Sequence, residues 1–424
     1  MNKEKKSNLM IIFIFLACCA AVGFILPFSA LADKKVVRIL WLADMTGPYS
    51  ATHNQIQLGV EDFVTWANQT EYIKDVKLVV DTYDHGMDMS KVIAAFNLGM
   101  GKKPRPLMCN GGMSTPTALA VKPLAKREKI PCIDGTSARP LLVPPDWYFS
   151  ISPCYEGQVG AAANWIMSNW KHNSKVEFIK KRYQKRAPRL AIIGWDNAFG
   201  RSFDQKEVRA YLKKIGIDYI GAEYIPMHPT DTTPQLLRLK KKGVDFAFMV
   251  MYANAHAVVL KDAAKLGMHK DFMTIGFQLD SIYDLHKYVG SLADSIMAVQ
   301  LTHVGDLNGL PSGLQALYLK RSKVDLQSYC TSVAYLDLMS EVIRKAIDRV
   351  GLDKLNGKEC YYSITHEIKN FKNMALTNPM RFSTSKPYGT DYSTMFHWKD
   401  GKVAILDNKV RIPNLLPGGS DVPK

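Results

Sequence analysis

The chain has 424 residues, 47% of them hydrophobic and 22% charged, with a formal net charge of +16. This is an ordinary globular composition with material for two cores and two or three domains. It shows no low-complexity tract and no solenoid-period repeat. The basic balance favours acidic partners, but no nucleic-acid motif stands beside it, so no nucleic-acid role is expected.

Residues 1–32 read as a secretory signal. Asn2-Lys3-Glu4-Lys5-Lys6 is a basic start, Leu9 to Leu31 is almost unbroken apolar sequence, and Ala30-Leu31-Ala32 places small residues where a signal peptidase cuts. The expectation is a periplasmic protein. Two alternatives stay open: an uncleaved anchor, since about 20 apolar residues can span a bilayer, and a lipoprotein, from a partial cleavage box at Leu16-Ala17-Cys18-Cys19. No later segment is apolar enough to cross. Two of the seven cysteines lie in this leader; Cys109, Cys132, Cys154, Cys330 and Cys360 remain. Export permits disulfides, but their pairing is not legible. No C-x-x-C or H-E-x-x-H occurs, so neither a metal site nor a cofactor is expected.

Strand and helix signals then alternate. Val36–Leu42, Lys77–Thr82, Pro106–Cys109 and Ile130–Ile133 read as strands. Gly59–Asn68, Met89–Met100 and Thr117–Glu128 read as the helices between them. Short apolar strands with helices between imply a parallel sheet covered on both faces. A second series starts with a helix at Gln158–Trp170. A basic insertion follows, Lys171 to Arg189, rich in lysine and arginine with one Glu, and reads as a solvated excursion. Strands are expected at Arg189–Gly194, Asp218–Tyr224, Asp245–Met251 and Phe272–Gly276. Helices are expected at Phe203–Ile215, Thr233–Lys242 and His256–Leu266. Beyond Ser281 the pattern loosens to a long helix, Tyr329–Val350, a hairpin around Asp400-Gly401 and an irregular tail. The fold class is therefore α/β, with two Rossmann-like lobes and a cleft between them.

In open parallel sheets, ligands bind beyond the carboxyl ends of the strands. Several loops leaving these strands join glycine to hydroxyl residues just before a helix: Thr46-Gly47-Pro48-Tyr49, Gly112-Met113-Ser114-Thr115 and Gly135-Thr136-Ser137. Such loops can bring backbone N–H groups to an anion. The plain alternative is that the hydroxyls are only helix caps. Their recurrence, with the aromatics Tyr49, Phe199 and Tyr252 at strand ends, favours a pocket.

The ordered run of G-V-E-D-F, V-V-D-T-Y-D, G-G-M-S-T-P-T-A, K-I-P-C-I-D-G-T-S, R-L-A-I-I-G-W-D-N-A-F-G and V-D-F-A-F-M-V-M-Y resembles the periplasmic solute-binding proteins of branched-chain amino-acid-type ABC transporters. The resemblance is close over 36–280 and loose over 281–410. It implies a type I periplasmic binding fold, two lobes joined by a three-crossover hinge. The expected division is 33–153 for the first lobe, 154–281 for the second, and 282–355 for the return. The second lobe and hinge follow at 356–410, and an irregular tail at 411–424. It implies that Ser114 and Thr115 hold a ligand carboxylate, with Met113 in the same loop and Gly135, Thr136 and Ser137 beside them. Phe199 and Tyr252 would close over the ligand, and Thr46 and Tyr49 would wall it. Two departures stand out. Ala138 occupies the place of a family threonine. The Gly276-Phe277-Gln278 segment lacks the family's acid, with Asp280 slightly late. A buried ammonium without an anion is costly. A small carboxylate without the amine, aromatic or otherwise, or an amide, is the expected solute, with Gln278 and Asp280 as further candidates. The family's first-lobe disulfide is not expected, because His85-Gly86 stands where its first cysteine would be. The implied partners are this solute and an inner-membrane ABC permease, and a monomer is expected.

Two rivals remain. One is a ligand-sensing domain of a membrane receptor or kinase. The other is a serine hydrolase using Ser114 as a nucleophile elbow, but Pro116 stands where that motif wants glycine. No nucleophile–base pair is evident, so no enzyme is expected.

Overall fold

The structure, a computed structural model, describes residues 34–183, 185–277, 282–301, 307–321, 324–376, 378–399 and 402–423. The leader, Gln278, Asp280 and the Asp400-Gly401 turn lie outside the described residues.

β1 (Lys35–Ala43) is buried at every position from Ile39 onward, as a central strand of a covered parallel sheet must be. It pairs in parallel with β2 (Val76–Asp84) and β3 (Met108–Cys109). β4 (Cys132–Asp134) and β5 (Tyr148–Ser150) complete a sheet of order β2-β1-β3-β4-β5. Helices Ser50–Gln69, Met89–Met100 and Thr115–Glu128 connect the first four strands. β5 has no counterpart among the expected strands: three residues among nearby prolines carry too little pattern.

The second sheet holds β6 (Arg189–Trp195), β7 (Asp218–Ile225), β8 (Phe246–Val250), β9 (Met273–Phe277), β10 (Met297–Gln300), β11 (Tyr392–Lys399) and β12 (Lys402–Arg411). Their order is β12-β11-β10-β9-β8-β6-β7. Only the β10–β11 and β11–β12 pairs are antiparallel. The architecture is thus α/β in two sheets, as expected.

Four expectations need correction. The helix expected over Phe203–Ile215 starts later, at Lys206, and ends at Lys214, after a separate short helix, Ala198–Arg201. Between them Asp204 accepts from Arg209 and the Tyr219 hydroxyl, and Phe203 is fully buried. The chain does not return to the first sheet at residue 282, because β10 pairs with β9. Nor does it leave at 356: Cys360, Ile364, Ile368 and Phe382 pack into the core behind β1. The final crossing runs beside Ser150, whose N–H donates to Pro387 O and whose carbonyl accepts from Gly389 N. The basic insertion is only partly solvated, since Arg182 and Arg186 both hold the fully buried Asp245 carboxylate. The tail is irregular but packed, with Ile412 and Leu415 in the core against the helix Tyr155–Asn169. The five cysteines are all buried and free.

Candidate ligand-binding site between the two sheets

Each sheet has a point where its strand order reverses, between β1 and β3 in the first and between β6 and β8 in the second. Loops leaving the strand ends at such a point diverge and open a crevice. The loops after β1, β3, β6 and β8 all reach one cavity of about 330 Å³ between the sheets.

The first-sheet side is built by buried carboxylates that gather backbone N–H groups. Asp44, at the end of β1, accepts from Gly47 N and Tyr49 N, both at 2.8 Å. A Cβ on Gly47 would lie 2.2 Å from Asp44 Oδ1, so the turn requires glycine. Asp44's own N–H donates to His53 Nδ1 at 2.9 Å. Asp134, at the end of β4, accepts from Gly111 N (2.7 Å), Met113 N (3.1 Å) and Thr136 N (2.8 Å). Gly112 and Met113 both have positive φ, 82° and 58°, an unusual state for methionine. Burial pushes the Asp134 carboxyl upward, and the amides oppose that. Ser114 caps the helix Thr115–Glu128, and its Oγ lies 2.7 Å from Thr117 Oγ1. Thr115 Oγ1 is buried near the Tyr155 phenol without completing a well-formed hydrogen bond.

The second-sheet side is aromatic. Phe199 meets Phe277 at 5.0 Å and Tyr155 at 5.5 Å between ring centroids, and Tyr252 meets Trp195 at 5.2 Å. These are edge-to-face contacts, the favoured geometry for aromatic pairs. Tyr49 and Tyr252 touch across the cleft, T-shaped at 5.7 Å, so the cavity is closed on that side by one ring from each half.

Of the candidate residues, Tyr49, Met113, Ser114, Thr115, Gly135, Thr136, Phe199 and Tyr252 line this cavity. Thr46 does not: it is exposed and its hydroxyl donates to Asp84 at 2.6 Å. Ser137 is fully buried behind the wall, its carbonyl accepting from Tyr155 N. Gln278 and Asp280 lie outside the described residues. His53, Met87, Asp134, Tyr155, Met227, Phe277 and Tyr335 line the cavity as well; the strand-end loops held Asp134 and Phe277 without naming them as binding residues, and the other five lay outside the reading. Asp134 had a signal, an acid closing a strand before Gly-Thr. His53 and Tyr335 sit inside helices, where strand-end reasoning does not look. The Ser114 hydroxyl meets Thr117 Oγ1 and Met87 Sδ, and no histidine hydrogen-bonds it among the described residues.

The sequence profile of periplasmic binding proteins matches residues 36–346. The chain belongs to the periplasmic binding protein family. A Leu/Ile/Val-binding protein of Citrobacter freundii is 23% identical over 260 residues, 61% of this chain and 65% of that protein. The Leu/Ile/Val-binding protein of Escherichia coli K12 is 22% identical over the same spans. The alignment therefore covers less than two thirds of the curated relatives' length. Among solved family structures, a branched-chain amino acid ABC transporter protein of Thermus thermophilus with bound valine superposes with TM-score 0.76. It is 19% identical and covers 91% of this chain and 98% of its own. A solute-binding protein of R. palustris in complex with 4-hydroxybenzoate gives TM-score 0.67 at 17% identity, covering 89% and 96%. One from Rhodopseudomonas palustris BisB5 with 3,4-dihydroxybenzoic acid gives 0.66 at 17%, covering 89% and 99%. At such identities the likeness establishes the fold.

Proposed function

We propose that this protein is the extracytoplasmic substrate-binding component of an ABC importer and that its solute is a small carboxylate with an aromatic body and no α-amine. The solute would bind between the sheets, be enclosed by hinge closure, and be handed to a membrane permease. One observation carries the choice of solute. Among the described residues, no lysine or arginine lines the cavity, and its one carboxylate, Asp134, is fully buried and already accepts three backbone amides. Among the described residues an α-ammonium would find no free anion, and a buried charge without a partner is costly. A carboxylate, by contrast, meets hydroxyls of Ser114, Thr115 and Thr136, and a ring meets Phe199, Tyr252 and Phe277. Two structural relatives that bind hydroxybenzoates show that this fold accommodates such ligands. The second reading, a branched-chain amino acid, draws on the names of the sequence relatives and the valine-bound neighbour.

A thermal-shift and calorimetry panel decides between them. A ligand at 100 times its Kd adds about 2.7 kcal/mol of stability. Stabilisation by hydroxybenzoates and not by valine or leucine is expected. Stabilisation by the amino acids alone would overturn the choice of solute.

A further inference from the structure

His53 is a tightly held polar side chain on the cavity wall. It lies in the first turns of the helix Ser50–Gln69 and is 4% exposed. A backbone N–H can only donate, so the bond from Asp44 N leaves Nδ1 as the acceptor and puts the ring proton on Nε2. A second proton, on Nδ1, would set two N–H groups against each other across 2.9 Å. Asp44 cannot turn away, because its carboxylate is held by Gly47 N and Tyr49 N and its residue ends β1. The Tyr49 ring stacks on the imidazole at 5.9 Å and 23°, and the His53 N–H donates to Tyr49 O at 2.9 Å. Backbone, ring face and Nδ1 are thus all committed. Nε2–H is the donor that remains, on a residue that lines the cavity. Asp44, Tyr49 and His85 are the titratable neighbours of the ring. Burial, then His85, pull its pKa down to about 3.

We propose that His53 determines the solute class by donating its Nε2–H to an acceptor oxygen of the bound solute, a carboxylate or phenol oxygen, and thereby rejects any solute that places an ammonium there. This rests on the aromatic-acid reading and adds the residue that enforces it. A neutral donor suits a cleft that opens and closes. An arginine in its place would bury an unpaired charge each time the cavity closed empty.

The variants separate the two ring nitrogens. In His53→Asn the amide oxygen can take the place of Nδ1 and keep the Asp44 bond, but no donor reaches the position of Nε2. In His53→Gln the amide nitrogen can reach it. With 4-hydroxybenzoate as the probe in calorimetry, His53→Asn is expected to bind about tenfold more weakly or worse, and His53→Gln within about threefold of the natural protein. In the unaltered protein, the imidazole ¹⁵N spectrum should show the Nε2–H tautomer unchanged between pH 5 and 8. Its Nε2 signal should move when the probe binds. Equal binding by His53→Asn overturns the inference and leaves the proposed solute class standing. So does an Nε2 signal that ignores the probe, which needs no variant to fold. Binding of valine and not 4-hydroxybenzoate by the unaltered protein overturns both.

Discussion

On the first-sheet side of the cavity, the buried carboxylates of Asp44 and Asp134 each accept at least two backbone N–H groups from loops that follow strands. On the second-sheet side, Tyr252 meets Trp195 and Phe199 meets Phe277 by ring edges, and Trp195 and Phe199 meet at a tilt. The first arrangement is directional. A buried amide has one good position for its acceptor, so those loops are shaped before any ligand arrives. The second is governed by area and shape, which tolerate small shifts as two halves close. The polar half would set the orientation of a solute, and the aromatic half would supply the contact that rewards closure.

The sharpest way to break this contrast is Asp134→Ala. It orphans three buried N–H groups, and at about 1 kcal/mol or more for each, about 3 kcal/mol of stability should be lost in urea unfolding. A loss under about 1 kcal/mol would mean that the loop does not depend on its carboxylate. Tyr252→Ala tests the opposite half. Stability should change little, while affinity for the aromatic probe falls by about 2 kcal/mol, roughly thirtyfold, through lost ring contact. An equal loss of stability would make Tyr252 a core residue instead.

Where the halves join, Lys386 gives a pH-dependent test. Its ammonium donates to Tyr388 O at 2.9 Å and pairs with Asp391 at 3.2 Å, beside the Ser150 crossover. Burial pulls its pKa down from 10.5 to about 8. Between those values the unfolded chain binds the proton more tightly, so this group's contribution to stability rises with pH from 8 toward 10. Lys386→Met should lack that rise, and the gap between the two proteins' stabilities should move by about 2 kcal/mol across the window. Parallel curves would show that Lys386 is solvated. The smallest effect is expected from Ser114→Ala, which removes a helix cap worth about 1 kcal/mol. It should also weaken carboxylate binding; a stability change with no change in affinity would make Ser114 a cap and nothing more.

Most elements are legible in the sequence. Met89–Met100 and Thr233–Lys242 are bounded as their periodicity and breakers indicate. β5 escaped because three residues hold too little pattern, and the helix expected from Phe203 starts only at Lys206 because Phe203 and Asp204 find partners from other elements. The site was half legible for a related reason. Loops after strands are local features, so Tyr49, Met113, Ser114, Thr115, Thr136, Phe199 and Tyr252 could be found. Which way a side chain turns is not local. Thr46 turns to Asp84, 38 residues away, and leaves the wall.

The sequence by itself determined that strands end in glycine- and hydroxyl-rich loops before helices, because strand, turn and helix preferences act over a few residues. Only the tertiary structure decided that loops from the strand ends of two sheets share one cavity. It alone decided that Asp134's charge is taken up by three amides and that His53 keeps its proton on Nε2. Those outcomes depend on groups brought together from distant parts of the chain, where burial makes each unmatched donor or acceptor costly enough to select a single arrangement.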